Sequence, residues 1–172
     1  MSDSAVRGFN DFNTEKFDCY HCHAGTTFTT SFQSVNTPPP PRDMRNTGLY
    51  NIGGTGAYPP DNTGLYDFTQ FSNDMGKFKV PTLRNVATRK VFFHNGRFGT
   101  LREALRFYAQ RDTNPEKFYP KDASGAVRKF DDTPAELAGN VNTTEVPYDR
   151  GPGEAPRLTE AEPTTSRRSS ER

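Results

Sequence analysis

Apolar residues are sparse along this chain and fall in separated groups, so the elements they predict are short. Between Ser4 and Phe17, Val6, Phe9 and Phe12 lie on roughly one side of a weak helix. From Thr26 to Pro60 the chain is rich in Gly, Pro, Asn and Thr, and Pro38 to Pro41 reads as an extended tetraproline. Within that stretch Asn46-Thr47-Gly48-Leu49-Tyr50 returns as Asn62-Thr63-Gly64-Leu65-Tyr66. Two copies are too few for a solenoid. They read as two similar turns, each planting a Leu-Tyr pair on the core. Phe78 to Val86 is the most apolar loop, interrupted by Pro81.

The clearest helix begins after Thr100. Thr100 and Glu103 have the spacing of a capping box, which satisfies two backbone donors that the first helical turn leaves open. Leu101, Ala104, Leu105 and Tyr108 follow at i, i+3, i+4 and i+7 and share one face. From Arg111 to Arg150 the chain turns polar, with Pro115, Pro120, Pro134 and Pro147. Thr159 and Glu162 repeat the capping-box spacing, but Pro163 sits in the first turn and Thr164 to Arg172 carries no apolar residue. The expected organisation is one domain over 1–150, then a disordered or truncated tail over 151–172.

Composition sharpens this picture. Of 172 residues only 31% are hydrophobic, against 14 Gly and 14 Pro, so long irregular segments must make up much of the chain. The 14 Phe and 7 Tyr are large enough for a few of them to surround something flat and apolar. That combination fits a fold in which a cofactor replaces part of the core. With 22 basic and 21 acidic residues the net charge is +1, which argues against nucleic-acid binding through phosphate contacts. No apolar run approaches the roughly 20 residues that span a bilayer. Met1 to Asn10 also lacks the hydrophobic stretch of a secretory signal.

Chemistry concentrates at Cys19-Tyr20-His21-Cys22-His23. Two thiols separated by two residues on a short helical turn match the spacing of the haem vinyl groups, and the adjacent imidazole is then held beneath the iron. Cys19 and Cys22 would be the thioethers and His23 the proximal ligand. Zinc needs two further ligands, and outside the motif there are no more cysteines and only His94 beside His21. A thioredoxin-like pair wants a strand before it and a helix after it, whereas Ala24-Gly25-Thr26 opens a loop. A redox pair or a plain disulfide remain the alternatives to haem. His21 reads as a surface residue. A covalent haem is normally attached outside the cytoplasm, so the expectation is a piece of a longer exported protein.

Candidates for the opposite face of the iron are Met44, Met75, His94 and Tyr108. From its helix position alone Tyr108 reads as a core aromatic, and Met75, before Gly76 in a loop, as either ligand or exposed side chain.

Beyond the cysteine motif, three further runs carry a resemblance. They are Asp74-Met75-Gly76-Lys77-Phe78-Lys79-Val80-Pro81-Thr82-Leu83-Arg84-Asn85-Val86, then Phe92-Phe93-His94-Asn95-Gly96, then Thr100-Leu101-Arg102-Glu103-Ala104-Leu105. With Cys19 to Gly25 they resemble the C-terminal haem domain of bacterial di-haem cytochrome c peroxidases and the related MauG enzymes, over about Val6 to Arg150. The resemblance implies a mainly α, cytochrome c-like domain with long irregular loops around one covalent haem c, in the periplasm. It implies Tyr108 rather than Met75 as the second ligand, because that family places Met or Tyr on the helix after the His-x-Gly segment. A phenolate favours ferric iron and lowers the potential relative to a thioether. Phe78, Val80, Pro81 and Leu83 would wall the haem, and Arg84 would either pair with a propionate or brace its loop.

The function this resemblance implies is electron transfer within an oxidoreductase that reduces hydrogen peroxide to water. Electrons would come from a small cytochrome c or cupredoxin and pass to a second haem domain or subunit. The alternatives are a stand-alone mono-haem electron carrier in a larger complex, or a mono-haem enzyme with His94 as its acid–base group. Departures accompany the likeness. The chain carries one haem motif where the family has two, Asn95 stands where Asp is usual, and no apolar closing helix follows Glu162. Thr88 to Val91 also departs from the usual Thr-Ala-Pro pattern, which counts against the family's calcium site.

Overall fold

The computed structural model describes residues 2–31, 43–49 and 62–158. The tetraproline Pro38–Pro41, Tyr50 of the first turn repeat and the capping-box pair Thr159/Glu162 lie outside the described residues. In chain order the elements are α1 (Asp3–Phe12), α2 (Cys19–Cys22), β1 (Met44–Arg45), α3 (Tyr66–Thr69), β2 (Phe78–Lys79), α4 (Leu101–Gln110) and α5 (Ala135–Ala138). Three single-turn 3-10 helices, Ser72–Asp74, Val86–Thr88 and Pro115–Lys117, lie between them. Most of the described chain is irregular, as a low apolar fraction with many Gly and Pro requires. β1 and β2 pair antiparallel, Met44 opposite Lys79 and Arg45 opposite Phe78.

α1 is capped by the Ser2 side chain, which accepts from the Ala5 amide. It ends earlier than the weak pattern to Phe17 suggests. Asn13 donates its side-chain amide to the Phe9 carbonyl at 2.8 Å, and Thr14 its hydroxyl to the Asp11 carbonyl at 3.1 Å. Such local side-chain bonds offer the backbone an alternative to further helix. The helix buries none of its residues: Val6 is 40% and Phe9 56% exposed, and only Phe12 finds a partner, the edge of Phe28.

α4 forms as its sequence predicts, with both halves of the capping box made between Thr100 and Glu103. Its deepest residue is Phe107, fully buried, together with Ala104 and Ala109. Leu101, Leu105 and Tyr108 are half-buried, so the face read from the periodicity is not spent on the protein's own core. Phe107 belongs to a cluster with Leu49 and Tyr119, ringed by Phe93, Phe98, Phe118, Val127 and Phe130. Ring pairs there are tilted or edge-to-face, for example Phe107 with Phe93 at 5.3 Å and with Phe118 at 5.4 Å. These geometries suit the aromatic quadrupole.

The two repeats do fold as similar turns. In each, the Asn side chain accepts from the Gly amide at 2.9 Å (Asn46 to Gly48, Asn62 to Gly64), and each Gly has positive φ, +73° and +72°. A Cβ at Gly48 would lie 2.5 Å from the Phe130 ring, and one at Gly64 would lie 2.4 Å from the Lys77 carbonyl oxygen. Only the first copy delivers its Leu to the core: Leu49 is buried, whereas Leu65 is half-buried. Packing continues past the boundary expected at Arg150. Leu158 is buried against Phe17 and Ala109, and Arg157 is ion-paired with Asp149.

Candidate haem-attachment site

α2 is a single helical turn whose entry residue, Asp18, has φ +52°. The turn closes when the His23 amide donates to the Cys19 carbonyl at 2.9 Å. Both cysteines are free thiols and partly buried, and Cys19 packs against the Phe17, Ala109 and Leu158 cluster. Burial, helped by neighbouring Asp18, pushes the Cys19 thiol up to about 12. Burial also pushes Cys22 up to about 11, opposed by the Arg45 guanidinium. Both are therefore neutral thiols at physiological pH. A redox-active pair draws its reactivity from a stabilised thiolate, and this environment does the opposite.

His23 is half-buried, and burial lowers its pKa. Its Nδ1 lies 3.2 Å from the Phe28 carbonyl oxygen, and the Pro81 carbonyl also reaches the ring. A carbonyl on Nδ1 fixes the proton there and leaves Nε2 as a lone-pair donor for a metal. His21 points away, with its side chain 63% exposed, bonded to Asp18 and stacked on Tyr20.

The loop after His23 is laced to the apolar segment around Pro81. Thr29 donates its hydroxyl to the Val80 carbonyl at 2.7 Å, and Thr82 donates to the Thr27 carbonyl. The Leu83 amide donates to the Phe28 carbonyl at 3.3 Å, and Arg84 donates Nε to the Thr26 carbonyl at 3.0 Å. Arg84 thus braces the motif loop with part of its guanidinium. Val80 is buried, Phe78 and Leu83 are half-buried, and Pro81 is exposed. The Phe78 ring stacks on His94 with centroids 3.6 Å apart.

Tyr108 approaches the motif from α4. Burial pushes its phenol far above the ordinary tyrosine range, with Cys22 and Cys19 the next causes and Arg111 opposing. The thiols of Cys22 and Cys19 thus lie within electrostatic reach of the Tyr108 phenol, and the next residue of α4, Ala109, packs in the same cluster as Cys19. The Tyr108 ring contacts Phe93 at 5.1 Å and Tyr148 at 5.8 Å. Met75 sits in a turn bridged to Gly64, its carbonyl accepting from Asn140 at 3.1 Å. Met44 faces a polar cleft of about 920 Å³, which the loop from Ala24 to Thr30 also borders; neither thiol nor Tyr108 lines it.

Two residues near this site escape sequence reasoning. Arg111 is fully buried and donates to Asp112, to the Thr47 carbonyl at 3.0 Å and to the Asn142 carbonyl at 2.6 Å. Its guanidinium also lies 3.7 Å from the Tyr148 ring centroid. Arg111 follows Tyr108 by three positions, so helical spacing does point it inward. An arginine at a helix end, however, ordinarily reads as solvated. Nothing in the polar segment around Tyr148 signals that this ring is 5% exposed.

The donor set fits a covalent haem: two neutral thiols on one turn and an imidazole anchored through Nδ1, with α4 carrying a half-buried face of Leu101, Leu105 and Tyr108. Among the described residues no cluster of three or more His, Cys, Asp or Glu could hold a metal ion, and no helix is long and apolar enough to cross a membrane.

The fold is similar to part of solved di-haem peroxidases. The chain superposes on the di-haem peroxidase BthA from Burkholderia thailandensis with a TM-score of 0.72 at 28% identity, over 94% of this chain and 40% of that one. In sequence it is similar to the cytochrome-c peroxidase IdrP1 of Denitromonas iodatirespirans, 31% identical over 121 residues, covering 63% of this chain and 32% of that protein. Over 33 residues it is 58% identical to the methylamine utilization protein MauG of Paracoccus denitrificans, 19% of this chain and 8% of that one. No family model matches. The chain spans about a third of the length of the first curated relatives it matches. Its homologues are therefore di-haem cytochrome c peroxidases and MauG-like proteins, as the motif runs indicate.

Proposed function

We propose that this chain is the electron-transfer haem c domain of a periplasmic di-haem cytochrome c peroxidase. The observation that carries the reading is the Cys19–His23 turn itself, two partly buried thiols beside an imidazole anchored through Nδ1, in a fold similar to that of a di-haem peroxidase. Cys19 and Cys22 would attach the porphyrin, and His23 and Tyr108 would hold the iron. Bound haem supplies one-electron ferric/ferrous chemistry. The chain's own residues set its terms. His23 Nδ1, tied to the Phe28 carbonyl, orients the imidazole, and a phenolate oxygen from Tyr108 would favour the ferric state. Phe78, Val80, Pro81 and Leu83 would exclude water from one side. Arg84, with two nitrogens engaged by Thr26, keeps a third to reach a propionate. Electrons would arrive from a small cytochrome c or cupredoxin and leave for a second haem domain, where peroxide is reduced to water.

The test is an absorption and EPR spectrum of the chain matured with haem c, oxidised, reduced and after peroxide. A covalent low-spin haem without a thioether charge-transfer band, unchanged by peroxide, is the expected result. A high-spin spectrum that converts with peroxide would mean that Tyr108 is not a ligand and that the domain performs its own chemistry.

A further inference from the structure

Tyr148 is buried to 5% exposure, and among the described residues its hydroxyl has no hydrogen-bond partner. Buried phenols ordinarily find one. Its ring stacks on Tyr108 at 5.8 Å with an interplanar angle of 28°, and it takes the Arg111 guanidinium at 3.7 Å from its centroid. Arg111 is itself immobilised by Asp112, Thr47 and Asn142, so the ring rests on a fixed cation. Tyr108 has Phe93 as its other ring neighbour, and Phe93 is in turn held by Phe98 and Phe107. Tyr108 is thereby held by two rings, each anchored elsewhere in the core.

We propose that Tyr148 is the positioning residue for Tyr108, its Arg111-anchored ring holding the phenol in a single orientation. The role rests on Tyr108 acting as the second iron ligand, as proposed above. A tyrosine on a helix has staggered side-chain alternatives, and only one of them directs its oxygen at a fixed point. Without a wall behind it, the ring would populate the others, and the iron would spend part of its time open to outside ligands. The wall is the ring face rather than the hydroxyl, since the hydroxyl makes no hydrogen bond among the described residues.

The test uses the full chain matured with haem c and carrying Tyr148→Leu, Tyr148→Phe or Tyr108→Phe. Three quantities are measured: the fraction of high-spin ferric haem by EPR, the rate of cyanide association and the reduction potential. Tyr148→Leu should give a mixed-spin spectrum and cyanide association at least about tenfold faster, the factor that corresponds to about 1.4 kcal/mol. Tyr148→Phe should restore the wild-type spectrum, spin state and cyanide rate, because it keeps the ring. Tyr108→Phe reports on the underlying reading. If it leaves the spectrum of the unmodified chain unchanged, Tyr108 is not a ligand and the positioning role falls with it. If Tyr108→Phe changes the spectrum while Tyr148→Leu, with normal haem content, does not, the ligand stands and the positioning role is overturned. Should Tyr148→Leu fail to accumulate, Tyr148→Phe decides. A wild-type spectrum and cyanide rate support the ring-wall role, and a mixed-spin spectrum overturns it.

Discussion

Replacing Arg111 with methionine keeps most of the side-chain volume and removes the buried cation. Four consequences can be read from its surroundings. The carbonyls of Thr47 and Asn142 lose their donors, at about 1–3 kcal/mol for each buried acceptor left unsatisfied. Asp112 loses the guanidinium that it accepts from at 2.8 Å. The Tyr148 ring loses a cation–π partner worth about 1–2 kcal/mol when desolvated. Lys129, however, stays on Asp112 and prevents that carboxylate from being stranded. The contributions are not additive, and breaking one side of a buried charge pair typically costs about 3–5 kcal/mol. The retained Lys129 contact places Arg111→Met near the lower end, about 3 kcal/mol. For a chain of this size that is a fall in Tm of roughly 6–12 °C. Urea unfolding of the haem-loaded chain, followed by far-ultraviolet circular dichroism, measures it. Arg111→Lys should lose at least half as much, because one ammonium cannot serve acceptors spread over Thr47, Asp112 and Asn142. An Arg111→Met midpoint within about 0.5 kcal/mol of wild type, the range of ordinary surface changes, would refute the keystone role.

Three further outcomes are expected. Phe107→Ala should cost about 3–5 kcal/mol and Phe68→Ala less than about 0.5 kcal/mol, since one ring is fully buried and the other 87% exposed; matched urea midpoints compare them. Thr100→Ala should destabilise by about 1 kcal/mol through loss of the α4 cap, and Thr100→Ser should recover most of it in the same assay. Arg157 holds the Asp149 carboxyl below its usual range. A depressed folded pKa adds stability above the unfolded carboxylate value of about 3.9 and loses it as pH falls through the folded value. The stability difference between wild type and Arg157→Gln should therefore be constant from about pH 8 to 5 and shrink below about pH 4; a difference that stays constant down to pH 2.5 would contradict the pairing.

How much of this was legible in the sequence depends on whether a local rule governs the residue. Thr100 and Glu103 act within one turn, so their spacing sufficed, and α4 begins where it predicts. The Asn-Thr-Gly turns are equally local, and both copies share the same Asn-to-Gly hydrogen bond and positive φ. The difference between Leu49 and Leu65 is not local, because only the first turn is covered by Phe130 and Tyr119. α1 shows an apolar stripe misleading in the other direction: Val6 and Phe9 repeat with helical spacing yet remain exposed. At the site, the cysteine turn and Tyr108 stand out as residue types on recognisable elements. Arg111 and Tyr148 do not, since their burial depends on carbonyls and rings brought from Thr47, Asn142 and α4. Hydropathy assigns both to the surface, and only tertiary packing reverses that.

The lacing of the loop after His23 to the segment from Val80 to Arg84 has a consequence for biogenesis. Its hydrogen bonds join residues more than fifty positions apart, Thr29 to Val80 and Thr82 to Thr27 among them. Contacts of that separation form late, because the intervening chain must first be closed into a loop. During synthesis the cysteine turn therefore emerges well before the segment that later braces the loop after it. On the proposed reading, haem attachment would meet Cys19 and Cys22 before that bracing is in place. On that reading the late, non-local contacts would set the interval in which the prosthetic group is joined to a loop not yet braced.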